Sequence, residues 1–251
     1  MSDAEDGLDV RSLAATFRPG TTLAAHRHGW GQLVFATAGI LHVRTDAALW
    51  VVPPTRAIWV PAGLRHEIGM QGEVAMRTLY LAAHRSAPLP GVPTVLTVLP
   101  LLRALILHIL AVGMLHRQRD EEDRLAAVLV DLLRTAPHED RMLPLPRDAR
   151  ARRLALHWQQ APGDRHSLSD LAREAGGSVS TLQRAFPRET GLTLEAWRQK
   201  ARLLHAAGLL ADGASVTGAA LDCGYDSVAA FSTAFRRQFG TSPARYRGRA
   251  G

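Results

Sequence analysis

The spacing of apolar residues divides the chain into a strand-like part and a helical part. Between Thr21 and about Leu81, short apolar runs are broken by Gly, Pro and Asp, which is typical of a β-sandwich or barrel. The runs read QLVFATAG, ILHVRT, ALWVV, AIWVPAG and MRTLYLA. From about residue 100 the apolar period becomes that of amphipathic helices. We therefore predict an α+β protein with an N-terminal β-barrel domain and an all-α C-terminal domain.

Two helices are predicted directly after the strands. The segment LLRALILHILAVGMLHRQ is followed by EEDRLAAVLVDLLRTA. The first contains Arg103 and His108 and falls short of the roughly 20 apolar residues of a membrane span, so we expect a packed helix. Together they form a helical hairpin that either dimerises the protein or covers the open end of its own barrel. The second helix has an apolar stripe at Leu125, Val128, Leu129, Leu132 and Leu133.

A linker is predicted at 139–148, EDRMLPLPRD, because charge and spaced prolines coincide there with a loss of periodicity. This places the barrel domain at 1–98, the hairpin at 99–138 and a second domain at 149–251. Residues 1–140 hold 13 Arg against 14 Asp and Glu, whereas 141–251 hold 17 Arg and Lys against 9 Asp and Glu. The basic second domain indicates either a nucleic-acid partner or a solvated Arg-rich surface.

The compartment follows from the cysteine count and from the first residues. Cys223 is the single cysteine, so an intramolecular disulfide is excluded. The acidic start MSDAEDGLDV lacks the basic and apolar regions of a signal peptide. We expect a cytoplasmic protein with no membrane partner.

The segment SLSDLAREAGGSVSTLQRAF predicts a helix-turn-helix. Ser167 and Asp170 form the capping box of a first helix, and Ser178 caps a second helix that ends at Phe186, before Pro187. A long helix, TLEAWRQKARLLHAAGLLAD, leads to a second such unit in SVTGAALDCGYDSVAAFSTAFRRQFG. A connecting helix of about 27 Å would set the two recognition helices about one DNA turn apart.

These repeats resemble the DNA-binding domain of the AraC/XylS family of bacterial transcription regulators. The stretch ALDCGYDSVAAFSTAFRRQFGTSPARYR matches the family signature position after position. The resemblance implies a regulator rather than an enzyme, with a DNA operator, an effector and RNA polymerase as partners and a homodimer as the assembly. It places the candidate DNA contacts at Ser180, Thr181, Gln183, Arg184, Val228, Ala229, Ser232 and Thr233.

The two recognition helices differ in the bases they can read. Gln183 suits adenine, and Arg184 suits guanine or a phosphate. Val228 and Ala229 offer only apolar contact to thymine methyl groups. We predict that the first unit supplies most of the direct readout; the alternative is that its polar residues are a solvated helix surface. Arg150, Arg152, Arg153, Arg198, Lys200 and Arg202 are further candidates for phosphate contacts.

The N-terminal domain carries a second resemblance. The pattern His26-x-His28-x3-Gln32-x6-Gly39, followed by Pro61-x-Gly63-x2-His66, resembles the two motifs of the cupin barrel, a jelly-roll-like fold. The resemblance implies an inward-facing divalent metal site formed by His26, His28, Gln32 and His66. Gln32 replaces the glutamate of the family motif, which removes a charged ligand. With Trp30 and Trp59 added, the same residues are the candidates for effector binding.

Three interpretations of this N-terminal site remain open. The barrel is a metal-bearing sensor, a metal-free pocket for a small molecule, or a barrel whose histidines are merely hydrogen-bonded inside. A cupin fused to an AraC-type domain favours an effector-responsive transcription regulator. The alternative function is a metal-dependent cupin enzyme, of the dioxygenase or isomerase type, fused to a DNA-binding domain.

Overall fold

The computed structural model describes residues 7–139 and 142–247, and the chain divides into two compact units. The first unit is Met1–Thr45 with Val52–Arg141, and the second is Asp46–Val51 with Met142–Gly251. The strands are β1 (Leu8–Phe17), β2 (Thr22–His26), β3 (Gly31–Ala36), β4 (Ile40–Arg44), β5 (Ala48–Val52), β6 (Arg56–Val60), β7 (His66–Gln71), β8 (Val74–Leu81), β9 (Thr94–Thr97), β10 (Leu115–His116), β11 (His138–Glu139) and β12 (Met142–Pro144). The helices are α1 (Ala83–Ser86), α2 (Pro100–Val112), α3 (Asp120–Thr135), α4 (Ala149–Gln160), α5 (Leu168–Glu174), α6 (Val179–Thr190), α7 (Leu194–Ala211), α8 (Val216–Asp222), α9 (Val228–Phe239) and α10 (Pro243–Arg247).

The first unit is built from two antiparallel sheets. Seven strands pair in the order β10-β1-β8-β3-β6-β9-β11, and β4, β7 and β2 follow one another in the other sheet. The predicted sheet-rich N-terminal class is therefore confirmed. The described strands form two open sheets rather than one closed barrel, because the seven-stranded sheet ends in the two-residue strands β10 and β11.

The helical hairpin covers one face of the seven-stranded sheet. Leu105 and Ile109 of α2 and Leu129 of α3 share a buried cluster with Leu33 and Leu79 of the sheet. The hairpin was predicted either to dimerise the protein or to cover the open end of a barrel; here it covers a sheet face instead. Dimerisation stays a prediction; Leu101 and Val112 of α2 remain 64% and 45% exposed.

The hairpin differs from its prediction in two details. Helix α2 ends at Val112 rather than near residue 118, because Gly113 turns the backbone to φ +100° before β10 begins. On α3 the buried residues include Ala126 and Val130, whereas Val128, which was predicted to be buried, is 47% exposed. The buried face is thus rotated relative to the apolar stripe.

The ten-residue strand β1 was missed because it breaks the alternation of polar and apolar positions. Asp9 is fully buried in it, and its carboxylate pairs with Arg85 at 2.7 Å and with His84 at 2.8 Å. A buried carboxylate is tolerated only with such partners. The chain pattern shows the acidic residue but not the side chains that pair with it.

The second unit contains seven helices, α4 to α10, in the residues that the structure describes. Strands β5 and β12 also pair in this unit, so part of the predicted linker 139–148 is a strand. Asp148 at its end caps α4 by accepting from the backbone N–H of Arg150 and Ala151. Asp140 and Arg141 lie outside the described residues.

Serine caps and left-handed glycines define the helix-turn-helix units. Ser167, Ser178, Ser215 and Ser227 each accept a hydrogen bond from the backbone N–H three residues on. Each recognition helix, α6 and α9, ends at a glycine with positive φ, +72° at Gly191 and +67° at Gly240. Helix α6 continues through Pro187 to Thr190, so the prediction that it ends at Phe186 was wrong.

Each helix-turn-helix unit has an aromatic core of its own. Phe186 of α6 packs against Trp158 and Trp197, with ring centroids 6.4 and 5.7 Å away. In the other unit, Phe231 and Phe235 of α9 lie 5.5 Å apart in a cluster with residues of α7, α8 and α10. Within the described part of the chain, no helix has both the length and the apolar character needed to cross a membrane.

Candidate metal centre and nucleic-acid interface

Three histidines meet at one end of the sheets in the first unit. His26, at the end of β2, lies opposite His66, at the start of β7, in the strand register. His28 follows β2 in a loop that is braced by the bond from the Gly63 N–H to its carbonyl, 2.8 Å long. The ring centroids are 4.6 to 5.7 Å apart, and one ligand nitrogen from each ring falls within 4.8 Å of the others. The structure thus brings together the histidines of both sequence motifs.

Backbone carbonyls fix how the three rings are oriented. Nδ1 of His26 donates to the Ala24 carbonyl at 2.8 Å, and Nδ1 of His66 donates to the Leu64 carbonyl at 2.9 Å. Nδ1 of His28 donates to a carbonyl as well, 2.7 Å away at Trp30. Because a carbonyl oxygen only accepts, each Nδ1 carries a proton and each neutral ring keeps a lone pair on Nε2. This is how metal-ligating histidines are commonly held.

Gln32 of β3 places its amide oxygen among these rings. Its Oε1 lies 3.1 Å from His28 Nε2 and 2.9 Å from His66 Nε2. Its amide nitrogen donates to Thr78 Oγ1 at 3.0 Å and to the Tyr80 hydroxyl at 3.2 Å. The Thr78 hydroxyl donates its one proton to the Leu33 carbonyl, so it can only accept a hydrogen bond from Gln32. The chain of bonds therefore fixes Oε1 towards the histidines.

The electrostatic result is a group of lone pairs that face one another. Burial lowers the pKa of His66 to about 4, and the neighbouring His26 and His28 act in the same direction, so that ring is neutral near pH 7. A neutral His66 offers no proton to Gln32 Oε1. A cation among Nε2 and Oε1 atoms would satisfy all of them, and imidazole nitrogen with one oxygen suits a divalent transition metal. The residues present therefore fit such an ion.

The two tryptophans that were predicted to bind effector differ in their relation to this group. Trp59 pairs with Leu33, the neighbour of Gln32, and both side chains belong to the core on the helix-covered face. Because adjacent strand residues point to opposite faces, Trp59 does not line the histidine site, and only its placement beside the histidines is wrong. Effector binding by Trp59 stays a prediction. Trp30 is 6% exposed and packs near Tyr80, with Arg11 4.4 Å from its ring centroid.

Two site residues, Thr78 and Tyr80, were missed from the sequence. They stand two apart on β8, separated and followed by Leu79 and Leu81, which lie in the core. This alternation in the run MRTLYLA was the available signal. Burial raises the pKa of Tyr80, so its hydroxyl stays protonated and able to hold the Gln32 amide.

The first recognition helix presents polar side chains. Ser180, Gln183 and Arg184 are exposed on α6, whereas Leu182 and Phe186 are buried on its other side. Thr181 is half-buried, and its hydroxyl shares a 2.9 Å hydrogen bond with Ser178. An exposed amide and guanidinium one residue apart can both reach base edges in a major groove.

The second recognition helix presents a smoother and more apolar surface. Val228, Ala229 and Ala230 are exposed in its first turn. Ser232 is half-buried, and Thr233 is exposed with its hydroxyl donating to the Ala229 carbonyl at 3.0 Å. Ser232 and Thr233 stand five and six residues after the cap, as Gln183 and Arg184 do in α6, so α9 carries hydroxyl side chains at those positions and methyl groups in its first turn.

Several candidate phosphate-binding arginines are engaged within the second unit. Arg153 donates to the Ala175 carbonyl at 2.6 Å, and Arg202 donates to the Pro162 carbonyl at 2.9 Å. Arg198 donates to the Asp164 carbonyl and lies over the Trp158 ring. These side chains hold loops, which is a structural role that the charge pattern did not reveal.

A second group of potential ligand atoms lies in the turn of the second helix-turn-helix. His205 Nε2 is 2.8 Å from the Asp222 carboxylate, and Cys223 is close to both. Cys223 is fully buried, and burial raises the pKa of its thiol to about 12. A thiol that stays protonated is a poor ligand, so we interpret this group as packing for the turn.

Two capped helix-turn-helix units, one with an exposed amide and guanidinium on its recognition helix, define a DNA-binding regulatory protein. A family model described as a helix-turn-helix domain matches residues 171–249. The HTH-type transcriptional regulator NimR of Escherichia coli is 31% identical over 225 residues, which is 90% of this chain and 82% of NimR. RipA of Corynebacterium glutamicum, also an HTH-type transcriptional regulator, is 35% identical over 49% of this chain and 35% of its own.

Solved structures give likenesses of the same kind. ToxT of Vibrio cholerae aligns with 99% of this chain and 100% of its own at 10% identity and a TM-score of 0.41. A probable AraC family transcriptional regulator from Rhodopseudomonas palustris aligns with 40% of this chain and 96% of its own at 31% identity and a TM-score of 0.37. On the strength of the NimR match, the chain belongs to the AraC/XylS family of bacterial transcription regulators. It binds DNA to regulate transcription and is not an enzyme.

Proposed function

We propose that this regulator responds to a divalent transition metal held by His26, His28, His66 and Gln32. The observation that carries the proposal is the convergence of three imidazole rings, with one nitrogen of each within 4.8 Å of the others, and of the Gln32 amide oxygen beside His28 and His66. Each of the four side chains is oriented by a hydrogen bond. When bound, the ion would supply the positive charge that these lone pairs lack. If the histidines were only hydrogen-bonded inside the domain, their Nε2 atoms would need hydrogen-bond donors. The Gln32 oxygen is an acceptor and does not meet that need.

The DNA-binding part of the proposal assigns direct readout to α6. Gln183 and Arg184 are the candidates for base contacts, with Ser180 and Thr181 beside them. On α9 the candidates are Val228, Ala229, Ser232 and Thr233, which we assign to apolar and backbone contacts. Metal binding changes operator affinity only if the ion binds two arrangements of the chain with different affinity. As a regulator of transcription, the protein would act where the bacterial chromosome lies, in the cytoplasm.

The test is metal content together with operator affinity, measured on full-length protein purified without an affinity tag. We expect about one ion per chain after reconstitution with divalent ions, and a change in operator affinity when the ion is removed. His26→Ala, His28→Ala and His66→Ala should each lower metal affinity at least about tenfold. His108→Ala, an exposed histidine on α2, is the matched control and should retain the ion.

The opposite result would assign the site to an organic effector. If the native chain binds no divalent ion under conditions in which its operator binding is intact, the metal proposal is wrong. The metal-free pocket then becomes the interpretation to test, by screening small molecules for a change in operator affinity.

A further inference from the structure

The proposed ligand set carries no negative charge. Three neutral imidazoles and one amide leave both charges of a divalent ion uncompensated, whereas a carboxylate in place of Gln32 would cancel one. Gln32 and His66 are each only 1% exposed, so water screens the ion poorly on that side. Uncompensated charge in a poorly hydrated site is costly, and an anion that binds the ion removes the cost.

Exposed arginines flank the histidines along the chain. Arg27 lies between His26 and His28, Arg65 precedes His66, and both arginines are exposed. The two loops, 27–30 and 61–65, contain no acidic residue. Glu67, the acidic residue next to His66 along the chain, is paired with Arg44 at 2.6 Å. The two guanidinium charges lie within one residue of the histidines along the chain, so they contribute a positive potential that favours an anion near the site.

Access to the site is from the same side. His26 and His28 are half-exposed, whereas His66 and Gln32 are buried behind them. A small ligand can reach the ion past the two half-exposed rings without displacing a core residue.

We propose that the effector of this regulator is a small anion, a carboxylate or an inorganic anion, that ligates the metal between the loops of Arg27 and Arg65. This inference rests on the proposed metal site. The co-ligand would then be an anion. In this proposal Gln32 makes the site selective for anions, because a neutral fourth ligand leaves the charge of the ion uncompensated.

The probe is sodium azide, titrated into full-length protein loaded with Co²⁺, whose visible absorption reports a change of ligands. We expect saturable spectral change with azide and none with acetamide, which is uncharged and of similar size. Gln32→Glu should keep Co²⁺ and lower azide affinity at least about tenfold, because one negative charge is already present beside the ion. Its Co²⁺ affinity is measured in the same titration.

A second pair of variants keeps the test independent of Gln32. Arg27→Gln with Arg65→Gln should weaken azide binding by about two- to fivefold at low salt, with a smaller effect at high salt. Arg124→Gln, an exposed arginine on α3, is the matched control and should bind azide like the native chain.

The outcomes separate the two proposals. Native protein that binds Co²⁺ but shows no azide response, or responds equally to acetamide, overturns the anion proposal and leaves the metal site standing. Equal azide affinity in the native chain and in Gln32→Glu also overturns it. Native protein that binds no Co²⁺ overturns both.

Discussion

Helices α6 and α9 share one frame and carry different chemistry. Each begins at a serine cap, each ends at a glycine in the left-handed region, and each buries phenylalanine in an aromatic cluster. On the solvent side, the fifth and sixth residues after the serine cap are Gln183 and Arg184 in α6 but Ser232 and Thr233 in α9, and α9 also exposes Val228 and Ala229 in its first turn. The duplication of a fold therefore preserves caps and core, which position the helix, and leaves the exposed turn free to change. Position and recognition are separable in this unit.

The largest effect is expected from removing the buried phenylalanines that both helices share as a feature. Phe186→Ala and Phe231→Ala each delete a ring that is fully buried, so we expect each to lower the free energy of unfolding by about 3–5 kcal/mol. Denaturant unfolding, followed by tryptophan emission and circular dichroism, measures the loss. A cost below about 1 kcal/mol for either variant would mean that the aromatic cluster is not what holds that helix.

The next effect separates the two surfaces. Gln183→Ala combined with Arg184→Ala should weaken binding to an operator selected by the native chain by more than about 1 kcal/mol, with little change for scrambled DNA. Ser232→Ala combined with Thr233→Ala, the pair at the corresponding positions of α9, should cost less. Both pairs are compared by binding titrations at one fixed salt concentration, because phosphate contacts depend on salt.

The comparison fails in two recognisable ways. If the α6 pair weakens operator and scrambled DNA equally, its side chains contact phosphates rather than bases. If the α9 pair costs more than the α6 pair, the apolar helix dominates readout and our assignment is reversed.

The smallest effect concerns the caps. Ser178→Ala and Ser227→Ala should each cost about 1 kcal/mol, because each removes the acceptor for one N–H of the first helical turn. Ser178 also shares hydrogen bonds with the hydroxyls of Ser180 and Thr181 at 3.0 and 2.9 Å, so its loss should also disturb the α6 surface. Thermal melting measures the first effect and operator affinity the second. If Ser178→Ala and Ser227→Ala bind the operator with equal affinity, Ser178 does not have this second role.

The helix-turn-helix units were predictable because their signals are local. Each unit is indicated within about a dozen residues by a serine cap, an apolar pair one turn apart and a glycine. The caps at Ser167 and Ser178 were predicted correctly. The end of α6 was not, because Pro187 sits in the last turn, where its ring is accommodated and the helix continues.

The N-terminal site was only partly predictable because its geometry is set by register. Two motifs far apart in sequence gave His26, His28, Gln32 and His66, but no pattern in the chain shows which strand face lies opposite which. Trp59 was therefore assigned to the wrong face of its sheet. The same limit applies to α3, where small Ala126 is buried and larger Val128 is exposed. Which side chain is buried depends on the size of the space between α3 and its neighbours. Hydrophobicity along the chain does not indicate that size.

The buried state of Cys223 has a practical consequence for following the two recognition helices. Maleimide dyes and thiol-specific nitroxide labels are attacked by thiolates, and a thiol with no exposed surface and a raised pKa reacts slowly with them. The native cysteine should therefore take up little label, and it need not be replaced before labelling. New cysteines on exposed positions of α6 and α9 would be the sites that take up label, which makes distances between the two helices measurable on and off DNA.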